Sequence, residues 1–339
     1  MASPVFPARK RQPNILFVGF FSLVYYGLIV PIDWVCRHIG SRTSFMSRMG
    51  KRREKGVDPR ILEAFGDYVP TEHDVFVNTF SKSGTNWMLQ MAHQIAFRGD
   101  GDFANIHDVV CWPDLLMPSG KGKVTVALDD TSVQELSPVS LRVIKTHLSA
   151  HHMPYNDKAK YIVVIRDPKD VFVSSYHFVA GIMGRIMPTM QEWLDAYLSD
   201  RFMLSFGVTW AEHTASYWAL RDKPNVLLLS FREMKKDLEG TVRQVQEFMG
   251  VELTEDEFAA VVRKSSFDYM KAIDGNFLPM AGDAMPWMKA SMVRSGKEGG
   301  SGELITPEQQ KRIDAFFLEQ FRAMGCDFPY AEYCRIAKE

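Results

Sequence analysis

An α/β fold with a central parallel sheet flanked by helices is predicted by three observations. From Asp74 onward, short apolar runs of strand length alternate with longer runs at helical spacing, the pattern of repeated βαβ units. Four of the short runs, Asp74–Phe80, Leu141–Thr146, Tyr161–Arg166 and Asn225–Phe231, are apolar enough to be buried on both faces, as parallel strands are. The first passes directly through Ser81-Lys-Ser-Gly-Thr-Asn-Trp87 into the apolar-periodic run Met88 to Phe97, which reads as strand, tight loop and helix. At 339 residues, 46% of them hydrophobic, the chain is long enough to close a full core around one large domain or two small ones.

Taken in chain order, the first element is an apolar stretch from Ile15 to Val30, preceded by Arg9-Lys10-Arg11 and continued through Pro31 and Ile32 to Asp33 and Trp34. That is about the minimum for crossing a bilayer, which takes roughly 17 to 25 residues. A cleaved signal peptide fits less well, because the run is long and no A-x-A-like site follows it. Arg42, Arg48, Lys51, Arg52, Arg53 and Lys55 follow, so residues 1–55 read as a hydrophobic membrane-anchor segment with basic flanks. The positive-inside tendency then leaves the domain 56–339 membrane-associated on the cytoplasmic side. Two other readings are a monotopic anchor held to anionic lipid by the polybasic flank, and a hydrophobic helix docked on the domain of a soluble cytoplasmic protein.

Gly56 to Val69 reads as a short lead-in helix. The runs Lys169 to Ile182, Met190 to Leu198, Val208 to Leu220, Met234 to Met249 and Thr254 to Lys264 have helical spacing, and Thr306-Pro307-Glu308 starts a last helix with a cap and a proline in its first turn. Asn276 to Glu303, rich in Gly, Met and Ser, reads as a long loop of the functional kind. The formal net charge of −1 gives no general argument for a nucleic-acid partner, so nucleotide affinity has to come from a local cluster of cations. Cys36, Cys111, Cys326 and Cys334 show no C-x-x-C or metal spacing, which points to free thiols in a reduced compartment and to no metal site.

Three segments carry chemistry. The Ser81–Trp87 loop joins a strand to a helix and holds a lysine, a glycine and two kinds of hydroxyl residue, so it offers backbone N–H groups, a helix-dipole positive end and a point charge to one bound anion. Its lysine precedes Ser83-Gly84-Thr85, whereas in the G-x-x-x-x-G-K-[ST] loop of nucleoside triphosphatases the lysine follows the last glycine. After the second strand, Lys145 and His147 share one side by the two-residue strand period, so an ammonium and an imidazole face one crevice. The third strand ends in Arg166, whose guanidinium can fork two N–H bonds to a phosphate, and Ser174 two turns into the next helix can add a hydroxyl. As plain structure Arg166 would pair with Asp167 or Asp170, and Asp167 also imitates the Mg²⁺-binding carboxylate of P-loop kinases.

Ser81-Lys-Ser-Gly-Thr-Asn-Trp87, Lys145-Thr-His147 and Arg166-Asp-Pro-Lys-Asp-Val-Phe-Val-Ser174 together resemble the signatures of the cytosolic-type sulfotransferases, a likeness that extends over roughly residues 58 to 325 and leaves the N-terminal segment outside. The resemblance implies a P-loop-like three-layer fold and transfer of a sulfuryl group from 3′-phosphoadenosine 5′-phosphosulfate (PAPS) to an acceptor hydroxyl or amine, without a metal. It implies that Lys82 contacts the 5′-phosphate and helps the bridging oxygen leave, that Ser83, Gly84, Thr85 and Asn86 form the phosphate cradle, and that Trp87 and Phe267 flank the adenine. Arg166 and Ser174, joined by Arg294 and Gly296, match the 3′-phosphate ligands. His147 matches the general base and Lys145 the residue that holds the transferring oxygens.

The sequence departs from the family at several points. Phe231 stands where familiar members have tyrosine and Ser295 where they have lysine, so one adenine contact and one phosphate charge are missing. Gly299-Gly-Ser-Gly302 replaces Gly-Asp-Trp-Lys, and the downstream dimer motif is absent, which leaves the usual homodimer unsupported and the oligomeric state open. A P-loop nucleotide-dependent kinase, and a membrane-bound nucleotide-binding scaffold without catalysis, are the competing readings. Segments around Phe103–Pro118, His151–Tyr155, Phe178–Pro188 and Asn276–Trp287 are aromatic- and Met-rich. They suit a small-molecule acceptor of apolar or lipid-like character, and read equally as core packing.

Overall fold

The structure, a computed structural model, describes residue 6 and residues 14–39, 43–52, 58–115, 124–199, 202–279, 284–294 and 304–337. Its centre is a four-stranded, all-parallel sheet of β1 (Asp74–Thr79), β2 (Arg142–Thr146), β3 (Lys160–Ile165) and β4 (Val226–Ser230), in the order β2-β1-β3-β4. Helices cover both faces, which is what apolar residues on both sides of a strand require. Val75, Phe76, Val77 and Ile162 are wholly buried.

The register is locked at one corner by charge. Asp74 and Arg142 are Cα partners across β1 and β2. Arg142 Nε donates to Asp74 Oδ1 at 2.8 Å, and the phenol of Tyr68 donates to Asp74 Oδ2 at 2.5 Å. A slip of one residue would bury both charges unpaired, a cost far above that of the pairing itself.

Because all four strands run the same way, their carboxyl ends meet at one edge. β1 leads there to Lys82, β2 to His147, β3 to Arg166 and β4 to Phe231. Chain order reverses between β1 and β3, and in open α/β sheets such a point makes the ligand crevice.

Several expected elements differ in detail. The lead-in helix is confined to Pro59–Leu62, with Gly66 at positive φ beyond it. The run Met234 to Met249 breaks at Asp237, giving Phe231–Lys236 and Leu238–Met249, because the Asp237 carboxylate caps the second helix by accepting from Gly240 N–H. Phe231 therefore begins a helix instead of ending β4. Residues 280–283 and 295–303 of the long Asn276–Glu303 loop lie outside the described residues.

The C-terminal helix Pro307–Ala323 buttresses the sheet edge. Phe317 and Phe321 pack on Trp210, and Asp314 holds the buried ammonium of Lys169 and the phenol of Tyr330. Beyond it, Arg335 reaches back to Asp167 and Asp170 at 3.4 and 3.0 Å.

At the other end, Ile15–His38 forms one continuous helix, long and apolar enough by length and composition to cross a membrane. Its first ten residues bury nothing, whereas Tyr25, Asp33 and Cys36 farther along are buried against the domain.

Candidate active site

The loop after β1 turns so sharply that two of its residues leave the right-handed region: Lys82 has φ 68° and Gly84 φ 103°. Left-handed positions of this kind point successive N–H groups into one concavity, an anion-binding arrangement at the start of the helix Thr85–Ala96. Glycine is required at 84, since a Cβ there would lie 2.7 Å from Phe231 Cδ2. The Thr85 hydroxyl is engaged with Thr79 Oγ1 at 2.5 Å, so this residue offers its backbone N–H to the loop.

Arg166 closes the cradle from β3. Its Nη1 donates to the Lys82 carbonyl at 2.9 Å, its guanidinium lies 4.4 Å from the Phe231 ring centre, and its carbonyl accepts from Trp210 Nε1 at 3.1 Å. Its acidic neighbours are held elsewhere: Asp167 caps the helix Pro168–Met183 through Lys169 N–H and accepts from Arg335 N–H, and Asp170 binds the Arg335 guanidinium. Arg166 thus turns to the loop, not to a surface ion pair. Asp167 is held by two residues, Lys169 and Arg335, each through both its backbone N–H and its side chain. Ser83 Oγ, Asn86 Oδ1 and Arg166 Nε are buried without a protein partner. Buried polar atoms are nearly always bonded, so these three, together with the loop N–H groups, fit an anionic phosphate ligand.

Trp87 is fixed by donating from Nε1 to Ser265 O at 2.8 Å, and meets Phe231 edge-on at 5.4 Å. Phe267, two residues past Ser265, stays 42% exposed. Trp87 and Phe231 thus stand together beside the loop, and Phe267 begins the helix Phe267–Ala272 that follows Ser265 and Ser266.

The reactive side is lined by aromatic rings and a thioether. Lys82 Nζ lies 4.0 Å from the Phe178 ring centre and 3.6 Å from Met292 Sδ, and burial, with the nearby Arg166 charge, pulls its pKa down to about 7. Lys145 Nζ lies 3.2 Å from the centre of the Trp112 ring, and its pKa is also drawn down to about 7, chiefly by burial. His147 is buried between Trp112 and Phe206, with ring centres 5.4 and 4.9 Å away. Its Nδ1 contacts the Thr79 carbonyl at 2.8 Å. A carbonyl only accepts, so Nδ1 carries the proton and Nε2 keeps its lone pair. Burial, then the Lys145 charge, holds this imidazole well below its ordinary range and neutral.

Beneath the pair lies Asp114, wholly buried, which accepts the His147 backbone N–H at 2.9 Å and whose pKa burial raises to about 6. Trp112, Asp114, Phe206 and Met292 were not identifiable individually. Trp112 and Asp114 fall in a segment marked for its aromatic content, but Phe206, at φ 51° in a turn, carries no periodic signal at all.

Lys82, Lys145, His147 and Arg166 are thus brought to one sheet edge. Ser174 lies half-buried in the second turn of Pro168–Met183, and Arg294 is exposed but close enough to Arg166 for the two charges to repel. Ser295 and Gly296 lie outside the described residues.

Residues 72–325 match the model of a family described as the sulfotransferase domain. The chain is 29% identical over 280 residues to an amine sulfotransferase of Oryctolagus cuniculus, an alignment covering 80% of this chain and 87% of that one. It is 34% identical over 215 residues to a luciferin sulfotransferase of Photinus pyralis, covering 59% and 57%. Among solved structures, retinol dehydratase in complex with retinol and PAP superposes with a TM-score of 0.64 at 20% identity, covering 81% of this chain and 89% of that one.

Proposed function

The chain belongs to the sulfotransferase family, its domain spanning residues 72–325, and on that premise we propose that it moves the sulfuryl group of PAPS to the hydroxyl, or amine, of a hydrophobic small molecule. The carrying observation is His147: its Nδ1 proton is committed to the Thr79 carbonyl at 2.8 Å, leaving Nε2 as a neutral base beside Lys145 and across from the anion loop.

PAPS supplies an activated sulfuryl group on its 5′-phosphate. The Ser81–Trp87 loop, through its N–H groups with Ser83 and Asn86, holds that phosphate, while Arg166, Ser174 and Arg294 with Ser295 and Gly296 take the 3′-phosphate. Trp87, Phe231 and Phe267 take the base. His147 Nε2 removes the acceptor proton as a new S–O bond forms and the bond to the 5′-phosphate breaks, leaving the bisphosphate. Lys145 faces the transferring oxygens and Lys82 the departing one, since a loose, in-line transfer needs positioning and charge stabilisation above all. An anion beside both lysines restores the protons that burial disfavours.

Phe178, Met292, Trp112 and Phe206 give the acceptor side apolar walls, which supports a lipid-like alcohol. The amine and luciferin in the relatives' names are likewise small molecules. Residues 1–55 serve in this reading as a membrane anchor for the domain 56–339 on the cytoplasmic side.

The test is incubation with labelled PAPS and a lipid extract, with the products identified by mass spectrometry, for the wild type and His147→Ala. Transfer undiminished in His147→Ala would overturn the mechanism. Labelling confined to water-soluble phenols or sugars would overturn the lipid-like acceptor.

A further inference from the structure

The helix Ile15–His38 has two halves with opposite surroundings. Residues Ile15–Val24 bury nothing, and Ile15, Leu16, Phe20 and Leu23 are 82, 78, 62 and 75% exposed. With Phe17 and Phe21, 45 and 40% exposed, the exposed apolar side chains span about two-thirds of the circumference and leave Val18 and Ser22 partly covered, an arc wider than the stripe one protein face covers and suited to a hydrocarbon medium.

From Tyr25 onward the helix belongs to the domain. The Tyr25 hydroxyl donates to the Met183 carbonyl at 2.7 Å and accepts from Arg185 N–H at 2.9 Å, while its ring stacks on Trp287 at 4.0 Å. Arg37, paired with buried Asp33, donates to the Met187 carbonyl at 2.7 Å. The clamp has a local cause. Pro31 cannot donate an N–H and crowds the carbonyl four residues earlier, and the turn before it, Tyr25–Ile29, is widened to a π-helix that re-aims Tyr25.

The wall that Tyr25 grips runs on to the reacting lysine. Lys289 N–H donates to the Gly181 carbonyl at 2.7 Å, fastening the segment around Trp287 to the helix Pro168–Met183. Met292, farther along that segment, and Phe178, one turn before Gly181 in that helix, both meet Lys82. A chain of mostly apolar contacts thus leads from Tyr25 to Lys82.

We infer that Ile15–His38 anchors in a single leaflet, without crossing the bilayer, and that its Tyr25 clamp holds the lip formed by residues 183–187 and 284–290 against that leaflet, so that the acceptor is an amphiphilic alcohol drawn from the membrane. This rests on the sulfotransferase reading above. Ten free residues at about 1.5 Å each reach about 15 Å, against a hydrocarbon core of about 30 Å. The sequence puts Arg9, Lys10 and Arg11 just ahead of them, and cations carried to the midplane are strongly disfavoured.

The full chain, carrying an epitope joined to Met1, is added to sealed vesicles of phosphatidylcholine and phosphatidylserine and treated with protease. Digestion of the epitope along with the domain is expected; an epitope protected inside would overturn the single-leaflet anchor. The double variant Leu16→Asp with Leu23→Asp is expected to stay in the supernatant when vesicles are sedimented, and its sedimentation at wild-type levels would overturn the lipid contact. Tyr25→Ala is expected to raise the half-saturating surface concentration of a vesicle-borne long-chain alcohol about tenfold, with turnover of a short water-soluble alcohol and the KM for PAPS unchanged. Equal loss on both alcohols, or no loss on either, would overturn the clamp. Turnover of the soluble alcohol by the wild type tests the sulfotransferase reading by itself.

Discussion

Arg166 Nη1 donates to the backbone carbonyl of Lys82 across 2.9 Å, tying the end of β3 to the loop after β1 at the point where the sheet order reverses. One side chain thereby ties down the anion loop and still keeps its Nε buried without a protein partner. Lysine cannot do both, having no planar fork. Arg166→Lys is expected to weaken PAP binding by about 10- to 100-fold, the scale of losing a charged hydrogen bond of roughly 1.5–3 kcal/mol. Calorimetric titration with PAP checks it, and an unchanged affinity would remove Arg166 from the site.

PAP binding is expected to be proton-linked. Burial holds Lys82 and Lys145 to about 7, whereas a bound anion raises both. Lysines that are neutral above pH 7 in the free protein must then take up protons on binding. Affinity should fall as pH rises from 7 to 8.5, by up to about tenfold per pH unit for each lysine. Titrations in buffers of different ionisation enthalpy measure the protons directly; a flat profile with no uptake would show both lysines charged beforehand.

His147→Ala is expected to lower kcat by about 10²- to 10⁴-fold, the usual contribution of a positioned base, while PAP affinity stays at the wild-type value. In the wild type the base must be neutral, and its pKa is held well below that of an ordinary histidine. The acid limb of the kcat/KM profile should therefore lie well below that of an ordinary histidine. An acid limb at the ordinary histidine value of about 6.5 would contradict the buried, neutral imidazole.

Gly84→Ala is expected to destabilise the fold by about 1–3 kcal/mol, the range for strained backbone positions, because φ 103° is poor for alanine and the new Cβ meets Phe231 Cδ2 at 2.7 Å. Thermal unfolding measures it. Adding Phe231→Ala should relieve the clash but not the backbone strain, so a partial recovery of Tm is the expected outcome.

Much of this site was legible beforehand because its backbone is local. The strand Asp74–Thr79, the turn at Lys82 and Gly84 and the helix from Thr85 are consecutive, so their chemistry is set by residues that are neighbours in sequence. Lys145, His147 and Arg166 were readable for the same reason: each stands at the end of an apolar strand, and parallel strands bring their carboxyl ends to one edge. Phe206, Met292 and Asp114 were not readable as site residues, since nothing local distinguishes a buried turn residue that faces His147 from one that faces the core.

By itself, then, the sequence determined the parallel sheet, the anion loop, the cations at its rim and an apolar helix ahead of the domain. All of these follow from periodicity and from contacts within a few residues. Only the tertiary structure decided what surrounds those groups: the burial that pulls Lys82 and Lys145 to about 7, the carbonyl that orients His147, and the Tyr25 clamp that joins the N-terminal helix to the wall beside Lys82. Their partners lie 33 to 210 residues away in the chain. Contacts at such separations come from how the layers pack, and they leave no local pattern in the sequence.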